Sequence, residues 1–234
     1  MYNPASVLHT VQQLADTDQL PFAPDDPGTA VFTLGTNHVY ILNETGEIVD
    51  NCQKRPQRLF TEQELTIEEC TDYLSQTIQI IRSRFPKVRI ILTVSPIRYR
   101  KYGFHGSRLS KAVLLLAIDR LLHPKDSIHS SNDFENTTVF FPSYEIVNDE
   151  LRDYRFYKPD MLHPSDQAVD YIFQRMAKTF FSPETHDFLR TWKPIREALE
   201  HRPFDPDSAE YHAFLQRTLD QAKALQQQYP GLVL

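Results

Sequence analysis

The spacing of hydrophobic residues changes repeatedly along this chain, and these changes predict alternating strands and helices. Short, nearly continuous apolar runs at residues 30–34, 88–94 and 138–141 predict buried strands, the middle one being typical of an interior parallel strand. Apolar residues with a 3.6-residue period predict helices around Val11 and over residues 61–85, 110–122, 167–181, 184–201 and 208–228. Strands that alternate with helices predict an α/β protein built as a three-layer α/β/α sandwich.

Turn-forming residues add local detail to this pattern. A hairpin is expected over residues 39–49, with its turn at residues 43–46. The tetrapeptide TEQE at residues 61–64 resembles a capping box, so a helix is expected to begin there. Two glycines within residues 100–109 predict a loop ahead of the next helix.

Polar residues directly follow the predicted strands, where an α/β fold places groups that contact a ligand. Gly35 and Asn37 follow the first strand, and the side-chain amide of Asn37 is suited to donate a hydrogen bond to an oxyanion. Glycine and asparagine also form simple turns, which would explain the same residues. Ser95 and Arg98 follow the second strand and are expected at the same edge of the sheet.

The stretch from residue 141 to residue 165 contains the main candidate for catalysis. Asp160 and His163 lie three positions apart on a predicted loop ahead of a helix. This spacing lets the carboxylate bind one ring nitrogen of the histidine while the other faces a substrate, as a serine hydrolase requires. A surface aspartate beside a helix capped by Ser165 would have the same sequence.

Composition and charge exclude several classes of function. With 234 residues, 41% of them hydrophobic, the chain can form one α/β domain with a substantial core. The net charge of -6 gives no indication of a nucleic-acid or membrane partner. Cys52 and Cys70 form neither a metal-ligand spacing nor a disulfide framework, and no signal peptide or membrane span is visible. We therefore expect a cytoplasmic protein without a cofactor.

Two helical patterns follow the last predicted strand and its helix. We expect a main domain over residues 1–182 and a helical extension over residues 183–234. Apolar residues of the extension form a stripe at helical spacing, namely Phe214, Leu215, Leu219, Ala222 and Leu225. The stripe is explained either by packing on the main domain or by a dimerisation or partner surface, and the oligomeric state stays open.

Five stretches together resemble the GSCFA family of bacterial proteins, which are similar to SGNH hydrolases. They are YNPAS at residues 2–6, TLGT at 33–36, NC at 51–52, TVSPIR at 93–98 with SKA at 110–112, and the long run from YE at 144–145 to DMLHPS at 160–165. The resemblance implies a flavodoxin-like α/β/α sandwich and ester or acyl chemistry. It also implies that Asp160 and His163 are the Asp-x-x-His element of the hydrolase superfamily.

The chain departs from the family pattern at positions that bear on catalysis. The Gly-Ser-Cys-Phe-Ala motif, whose serine is the expected nucleophile, does not occur in the sequence. The sequence begins at the segment that follows this motif in the family, so we expect a truncated form without the first strand and helix. Gln53 and Tyr99 stand where histidines are expected. Asn37 replaces a small apolar residue, so its oxyanion role rests on the Gly-x-Asn pattern of the wider superfamily.

Three hypotheses follow, because no other serine is an obvious nucleophile. Ser6 lies at a helix start, where it is expected to be an N-cap, and nothing in the sequence places Ser95 beside His163. The chain is a truncated ester hydrolase, a catalytically inactive binding domain that keeps the pocket, or a metal site built on Asp160, His163 and a nearby acid. The residue spacing disfavours the metal site. We favour the first hypothesis, which predicts an open groove where the missing strand belongs.

The resemblance and the strand ends together define the expected site. The catalytic pair is Asp160 and His163, and the substrate or oxyanion-binding residues are Gly35, Asn37, Asn51, Ser95 and Arg98. Arg98 and Arg155 are candidates for binding an anionic substrate group, although Arg155 is expected to pair with a neighbouring acid instead. The expected substrate is a small-molecule or glycan-linked acyl ester, with no metal, nucleic acid or membrane involved.

Overall fold

A computed structural model describes residues 3–22, 27–49, 55–123, 138–229 and 232. The predicted site residue Asn51 and its neighbours Cys52 and Gln53 lie outside the described residues. In chain order, the elements are α1 (Pro4–Asp16), β1 (Gly28–Leu34), β2 (His38–Leu42), β3 (Ile48–Val49), β4 (Phe60–Glu64), α2 (Ile67–Arg84), β5 (Val88–Val94), α3 (Gly103–Leu122), β6 (Thr138–Phe141), α4 (Ser143–Glu145), α5 (Asp166–Phe180), α6 (Pro183–Leu199) and α7 (Ala209–Gln228).

The helices and strands form two compact units, Met1–Ile172 and Phe173–Leu234, with the division inside α5. The division lies ahead of the expected domain boundary after residue 182, and the domain assignment itself stays a prediction. None of the helices in the described part of the chain combines the length and apolar character needed to cross a membrane.

A parallel sheet with the strand order β1-β5-β6 forms the centre of the first unit. All three strands were predicted from their apolar runs, and the α/β class is confirmed. Strand β5 lies in the middle, as its nearly continuous apolar run predicts, and all of its side chains except Arg89 are buried. Parallel pairing brings the carboxyl ends of the three strands to one edge.

The sheet contains no gap between its described strands. Strands β1 and β5 pair directly from Gly28↔Val88 to Leu34↔Val94, so the groove expected from a missing central strand is not present there. The open positions are the outer edges of β1 and β6, where no other described strand pairs. One face of β1 is also uncovered, since Val31 is 45% exposed.

Helices α1, α2 and α3 contribute to one hydrophobic core with the sheet. Leu74, Ile78 and Ile81 of α2 are at most 2% exposed and recur at helical spacing. They share the core with Ile90 and Leu92, which alternate along β5. Removal of this apolar surface from water is the main force that holds the helices on the sheet.

Helix α1 is capped by a reciprocal pair of side chains. The Asn3 side chain accepts a hydrogen bond from the Ser6 backbone N–H at 2.8 Å, and Ser6 Oγ accepts one from the Asn3 N–H at 3.2 Å. Asn3 is therefore the N-cap, and Ser6, predicted for that position, completes the capping box from the third helical residue.

A small antiparallel sheet with the order β3-β2-β4 confirms the predicted hairpin but contains a strand that we did not expect. Residues 61–64, predicted to begin a helix, belong to β4 and pair with β2. The helix begins at the next Thr-x-x-Glu, where Thr66 Oγ1 accepts a hydrogen bond from the Glu69 N–H at 3.2 Å. Spacing alone cannot distinguish the two motifs, because strand pairing is a long-range interaction.

Helix α3 begins at Gly103, within the residues predicted to form a loop. Gly103 has a φ of 65°, which few other residues adopt, so it turns the chain into the helix. At Gly106 a Cβ would lie 3.2 Å from Cβ of Tyr102, so the missing side chain permits this close approach. The two glycines start the helix that carries much of the candidate site.

The second unit contains a helical hairpin formed by α6 and α7. Ile195 of α6 packs with Ala222 and Leu225 of α7, all at most 6% exposed. The ring centroids of Phe188 and Tyr229 lie 4.9 Å apart beside these residues. Two members of the predicted apolar stripe therefore pack inside this unit, and the dimerisation hypothesis stays untested.

Replacing Thr66 by alanine tests the assignment of the α2 cap. Thr66→Ala removes the side-chain acceptor for the Glu69 N–H, so the free energy of unfolding should fall by about 1 kcal/mol. Thr66→Ser keeps a hydroxyl and should stay within a few tenths of a kcal/mol of the wild type. Urea denaturation of both variants measures this difference, and equal stability of the two would contradict the cap.

Candidate active site

Asp160 and His163 form a closed turn in which one carboxylate makes three hydrogen bonds. Asp160 Oδ2 lies 2.6 Å from His163 Nδ1. Asp160 Oδ1 accepts hydrogen bonds from the backbone N–H groups of Leu162 at 2.9 Å and His163 at 3.0 Å. The backbone N–H groups of His163 and Leu162, followed by the imidazole, lower the pKa of Asp160 to about 2. The carboxylate is therefore ionised at neutral pH.

The turn leaves the second ring nitrogen of His163 available. Nδ1 is occupied by Asp160, whereas Nε2 has no hydrogen-bond partner in the described part of the chain. The His163 side chain is 53% exposed, so a substrate can reach Nε2 from solvent. Between the two residues, Met161 has a φ of 61°, a left-handed conformation that is costly for its side chain. Three hydrogen bonds to one carboxylate hold the backbone in this conformation.

Arg98 attaches this turn to the end of β5. Its backbone N–H donates to the Leu162 carbonyl at 3.1 Å, and its guanidinium donates to the Met161 carbonyl at 3.3 Å. The guanidinium carbon also lies 3.9 Å from the ring centroid of Tyr157. The predicted residues Arg98, Asp160 and His163 are therefore brought together at the carboxyl edge of the sheet.

The other predicted binding residues have local partners. Ser95 Oγ accepts a hydrogen bond from the Ile97 N–H at 3.3 Å and makes none to His163. Asn37 is 2% exposed, and its side-chain amide donates to the Leu65 carbonyl at 2.7 Å. An oxyanion role for Asn37 would require breaking this bond, and it stays a prediction.

Arg155 and Asp153 form an exposed ion pair with a distance of 3.6 Å between Nη2 and Oδ2. The expectation that Arg155 pairs with a neighbouring acid is confirmed. Screening by water makes such a pair contribute little to stability.

A cavity of about 560 Å³ adjoins the turn, which contributes Met161 to its wall. Segments after β5 and β6 and the first turns of α3 supply the remaining walls. The lining residues contributed by α3 follow the three- and four-residue spacing of one helix face and are Phe104, Ser107, Arg108 and Lys111. The others are Pro96, Ile97, Arg98, Tyr144, Asn148 and Tyr154.

Lys111 is a buried cation in the wall of this cavity. It is 2% exposed, and Nζ donates a hydrogen bond to the carbonyl of Gly35 at the end of β1. Nζ also lies 4.9 Å from the ring centroid of Tyr99, which stands where the family resemblance predicts a histidine. Burial lowers the pKa of Lys111 from 10.5 to about 7. Gly35 therefore contributes to the site by holding this lysine.

Sequence reasoning did not select Lys111, Arg108 or Tyr144 as site residues. Lys111 belongs to the SKA motif of the family resemblance, and Arg108 lies in the segment predicted to be a loop. A signal was present, because Lys111 precedes the apolar residues Leu114, Ala117 and Ile118 of the predicted helix and lies three residues after Arg108. The spacing of Arg108 and Lys111 places them on one helix face only if the helix begins at Gly103.

Metal ligation has no basis in the described residues. Within the described ranges, no group of three His, Cys, Asp or Glu side chains is placed to bind a metal ion. Asp160 and His163 therefore have no third ligand of these types in the part of the chain that the structure describes.

The geometry defines an α/β protein with an aspartate-oriented histidine beside a basic cavity at the carboxyl edge of a parallel sheet. The sequence profile of the GSCFA family matches residues 1–176, and that of the "GSCFA domain protein, C-terminal domain" matches residues 192–234. The chain therefore belongs to the GSCFA family. Searches of curated proteins and of solved structures found no match.

Replacing Asp160 by asparagine tests how the carboxylate orients His163. Asp160→Asn presents an amide N–H to Nδ1, so the neutral ring should move its proton from Nδ1 to Nε2. Nitrogen-15 NMR of the imidazole reports this tautomer directly. Asp166→Asn, which changes an exposed aspartate paired with Lys158 at 3.0 Å, should leave the tautomer unchanged. The same tautomer in the wild type and in Asp160→Asn would rule out the orienting role.

Lys111 predicts a specific dependence of stability on pH. Between its folded pKa of about 7 and its ordinary value of 10.5, the unfolded chain binds more protons than the folded chain. The free energy of unfolding should therefore rise from pH 7 to pH 9, by about 1–3 kcal/mol from this residue. Lys111→Met should remove this rise in urea denaturation, whereas Lys223→Met, at an exposed position, should keep it. An unchanged rise in Lys111→Met would contradict the buried charge.

Proposed function

We propose that this GSCFA protein carries the acid–base half of an SGNH-type site for the hydrolysis or transfer of acyl esters. The observation that supports it is the Asp160–His163 turn, in which Nδ1 is held by a carboxylate and Nε2 is available. A histidine oriented in this way is the general base of serine hydrolases. The substrate proposed is a small-molecule or glycan-linked acyl ester, and the location proposed is the cytoplasm.

In the proposed chemistry His163 acts first as general base and then as general acid, and Asp160 orients it. Nε2 of His163 takes the proton of an attacking hydroxyl as the hydroxyl oxygen bonds to the ester carbonyl carbon. Nε2 then gives this proton to the leaving alcohol as the ester C–O bond breaks. A water or acceptor alcohol then attacks the carbonyl carbon of the acyl group. Nε2 takes the proton of this attacking group and returns it to the departing hydroxyl as its C–O bond breaks. Asp160 keeps Nε2 unprotonated at the start and stabilises the imidazolium that forms.

The order and direction of the strands support a flavodoxin-like α/β/α sandwich for the main domain. The order β1-β5-β6 is parallel throughout, and α1, α2 and α3 share one core with it. The site lies where such folds bind ligands, at the carboxyl ends of the strands. We retain residues 1–182 as this domain and residues 183–234 as a helical extension.

The proposal requires a nucleophile that the described residues do not supply. In the ranges that the structure describes, no serine or threonine hydroxyl is hydrogen-bonded to His163. Loss of the nucleophile from a serine hydrolase lowers the rate by about 10⁶-fold, because the triad acts as a unit. We therefore expect the present chain to be inactive as an esterase, and we propose the serine of the family's Gly-Ser-Cys-Phe-Ala motif as the missing group.

A binding domain without catalysis is the alternative. It is favoured by a specific observation, since a cavity lies beside the turn although no hydroxyl of the described residues contacts His163. In that case the Asp160–His163 turn would support the cavity wall through Met161, and Nε2 would transfer no proton.

An esterase assay of chains with and without the Gly-Ser-Cys-Phe-Ala motif distinguishes the hydrolase from the binding domain. The present chain and a longer chain with a Gly-Ser-Cys-Phe-Ala segment ahead of Met1 are tested with p-nitrophenyl acetate. We expect hydrolysis by the longer chain only and its loss in His163→Ala, since the base is then absent. His9→Ala changes an exposed histidine of α1 and should keep the wild-type rate.

Two outcomes contradict the hydrolase. A folded longer chain that hydrolyses no ester favours the binding domain. Hydrolysis that survives in His163→Ala shows that the reaction does not use this histidine. Circular dichroism of each variant verifies that the fold is intact.

A further inference from the structure

We propose that the cavity beside the Asp160–His163 turn is an anion-binding subsite, and that the substrate carries a carboxylate or phosphate group that Arg98, Arg108 and Lys111 bind. The proposal deepens the proposed function, because it names the chemical class of the ester. The residues that line the cavity and the charges around it support the subsite itself.

The cavity is cationic although the whole chain is acidic. The chain has a net charge of -6, yet the lining includes two arginines and one lysine and no acidic residue. No described carboxylate forms a salt bridge with Arg98, Arg108 or Lys111. Arg98 and Arg108, together with Lys111 when it is protonated, repel one another, and an anion in the cavity would relieve this repulsion.

The cations converge on one region of the cavity. Burial raises the pKa of the Tyr144 hydroxyl, Tyr157 and the Glu145 carboxylate add to this rise, and the positive charges of Arg108 and Arg98 oppose it, so both guanidinium groups act on the same hydroxyl. Lys111 lies one helical turn beyond Arg108 on the cavity face of α3. The first turns of α3 also contribute the positive end of the helix dipole.

The side chains keep donors available for a ligand. Arg98 uses one guanidinium N–H for the Met161 carbonyl, and a guanidinium carries five. Arg108 is exposed and has no observed ion pair. A planar guanidinium matches the two oxygens of a carboxylate or phosphate, so Arg108 is the natural first contact for such a group.

The remaining lining is apolar or aromatic, which suits the organic part of the ligand. Phe104 is 63% exposed, Tyr154 is 72% exposed and Met161 is 36% exposed, and all three line the cavity. Large exposed apolar side chains around a charged pocket are typical of a ligand site. Because Met161 separates Asp160 from His163, a ligand that fills the cavity lies against the turn that carries the histidine.

Titration calorimetry of the full chain at low ionic strength tests the subsite without any ester. The probes are phenyl phosphate, benzoate and neutral benzyl alcohol. We expect saturable one-to-one binding of at least one anion and about tenfold weaker binding in Arg108→Gln, since a charge-assisted hydrogen bond is lost. Arg202→Gln, at an exposed arginine of the second unit, should bind like the wild type. Stronger binding of phenyl phosphate identifies a phosphate ligand, and stronger binding of benzoate identifies a carboxylate.

The outcomes separate this inference from the proposed function. Equal binding by Arg108→Gln and Arg202→Gln, or equal binding of benzyl alcohol and the anions, overturns the subsite. Lys111→Met should also weaken anion binding, and Arg108→Gln carries the test if Lys111→Met does not fold. Anion binding that depends on Arg108, without any His163-dependent hydrolysis in the longer chain, supports the subsite and contradicts the hydrolase. His163-dependent hydrolysis by the longer chain, without Arg108-dependent anion binding, supports the hydrolase and contradicts the subsite.

Discussion

The central strand of the parallel sheet is the constraint on which the candidate site depends. Strand β5 pairs with β1 on one side and β6 on the other, so three strand ends meet at one edge. The chain leaves this edge three times, through Gly35, Ser95 and Pro142. Arg98 then bonds to the Asp160–His163 turn, and Lys111 bonds to the Gly35 carbonyl. Packing of the parallel sheet thus fixes the relative positions of site residues that are far apart in sequence.

Two opposite electrostatic environments lie side by side at this edge. Asp160 is exposed and bound by three N–H groups, which keeps it charged and holds the imidazole in one orientation. Lys111 is buried, which makes its charge costly unless an anion is present. One environment suits proton transfer and the other suits binding. Their proximity is what an enzyme for an anionic ester needs, and the cavity alone would also serve a binding protein.

The sequence was sufficient to predict the structure where the stabilising interactions are local or the residues strongly apolar. The three parallel strands and the pairing of Asp160 with His163 could be predicted, because each is encoded within a few residues. The start of α3 could not be predicted, because Gly103 and Gly106 are as compatible with a loop as with a tight helix start. The basic cavity was missed for the same reason, since Arg108 and Lys111 share a face only when that helix exists.

Reaction with a fluorophosphonate tests the central claim most directly, because this reagent bonds to a serine oxygen only when a neighbouring base activates it. In the longer chain with the Gly-Ser-Cys-Phe-Ala segment, mass spectrometry should find one adduct on the serine of that segment, absent in His163→Ala and retained in His9→Ala. No adduct on a folded chain, or an adduct that forms equally in His163→Ala, would contradict the account.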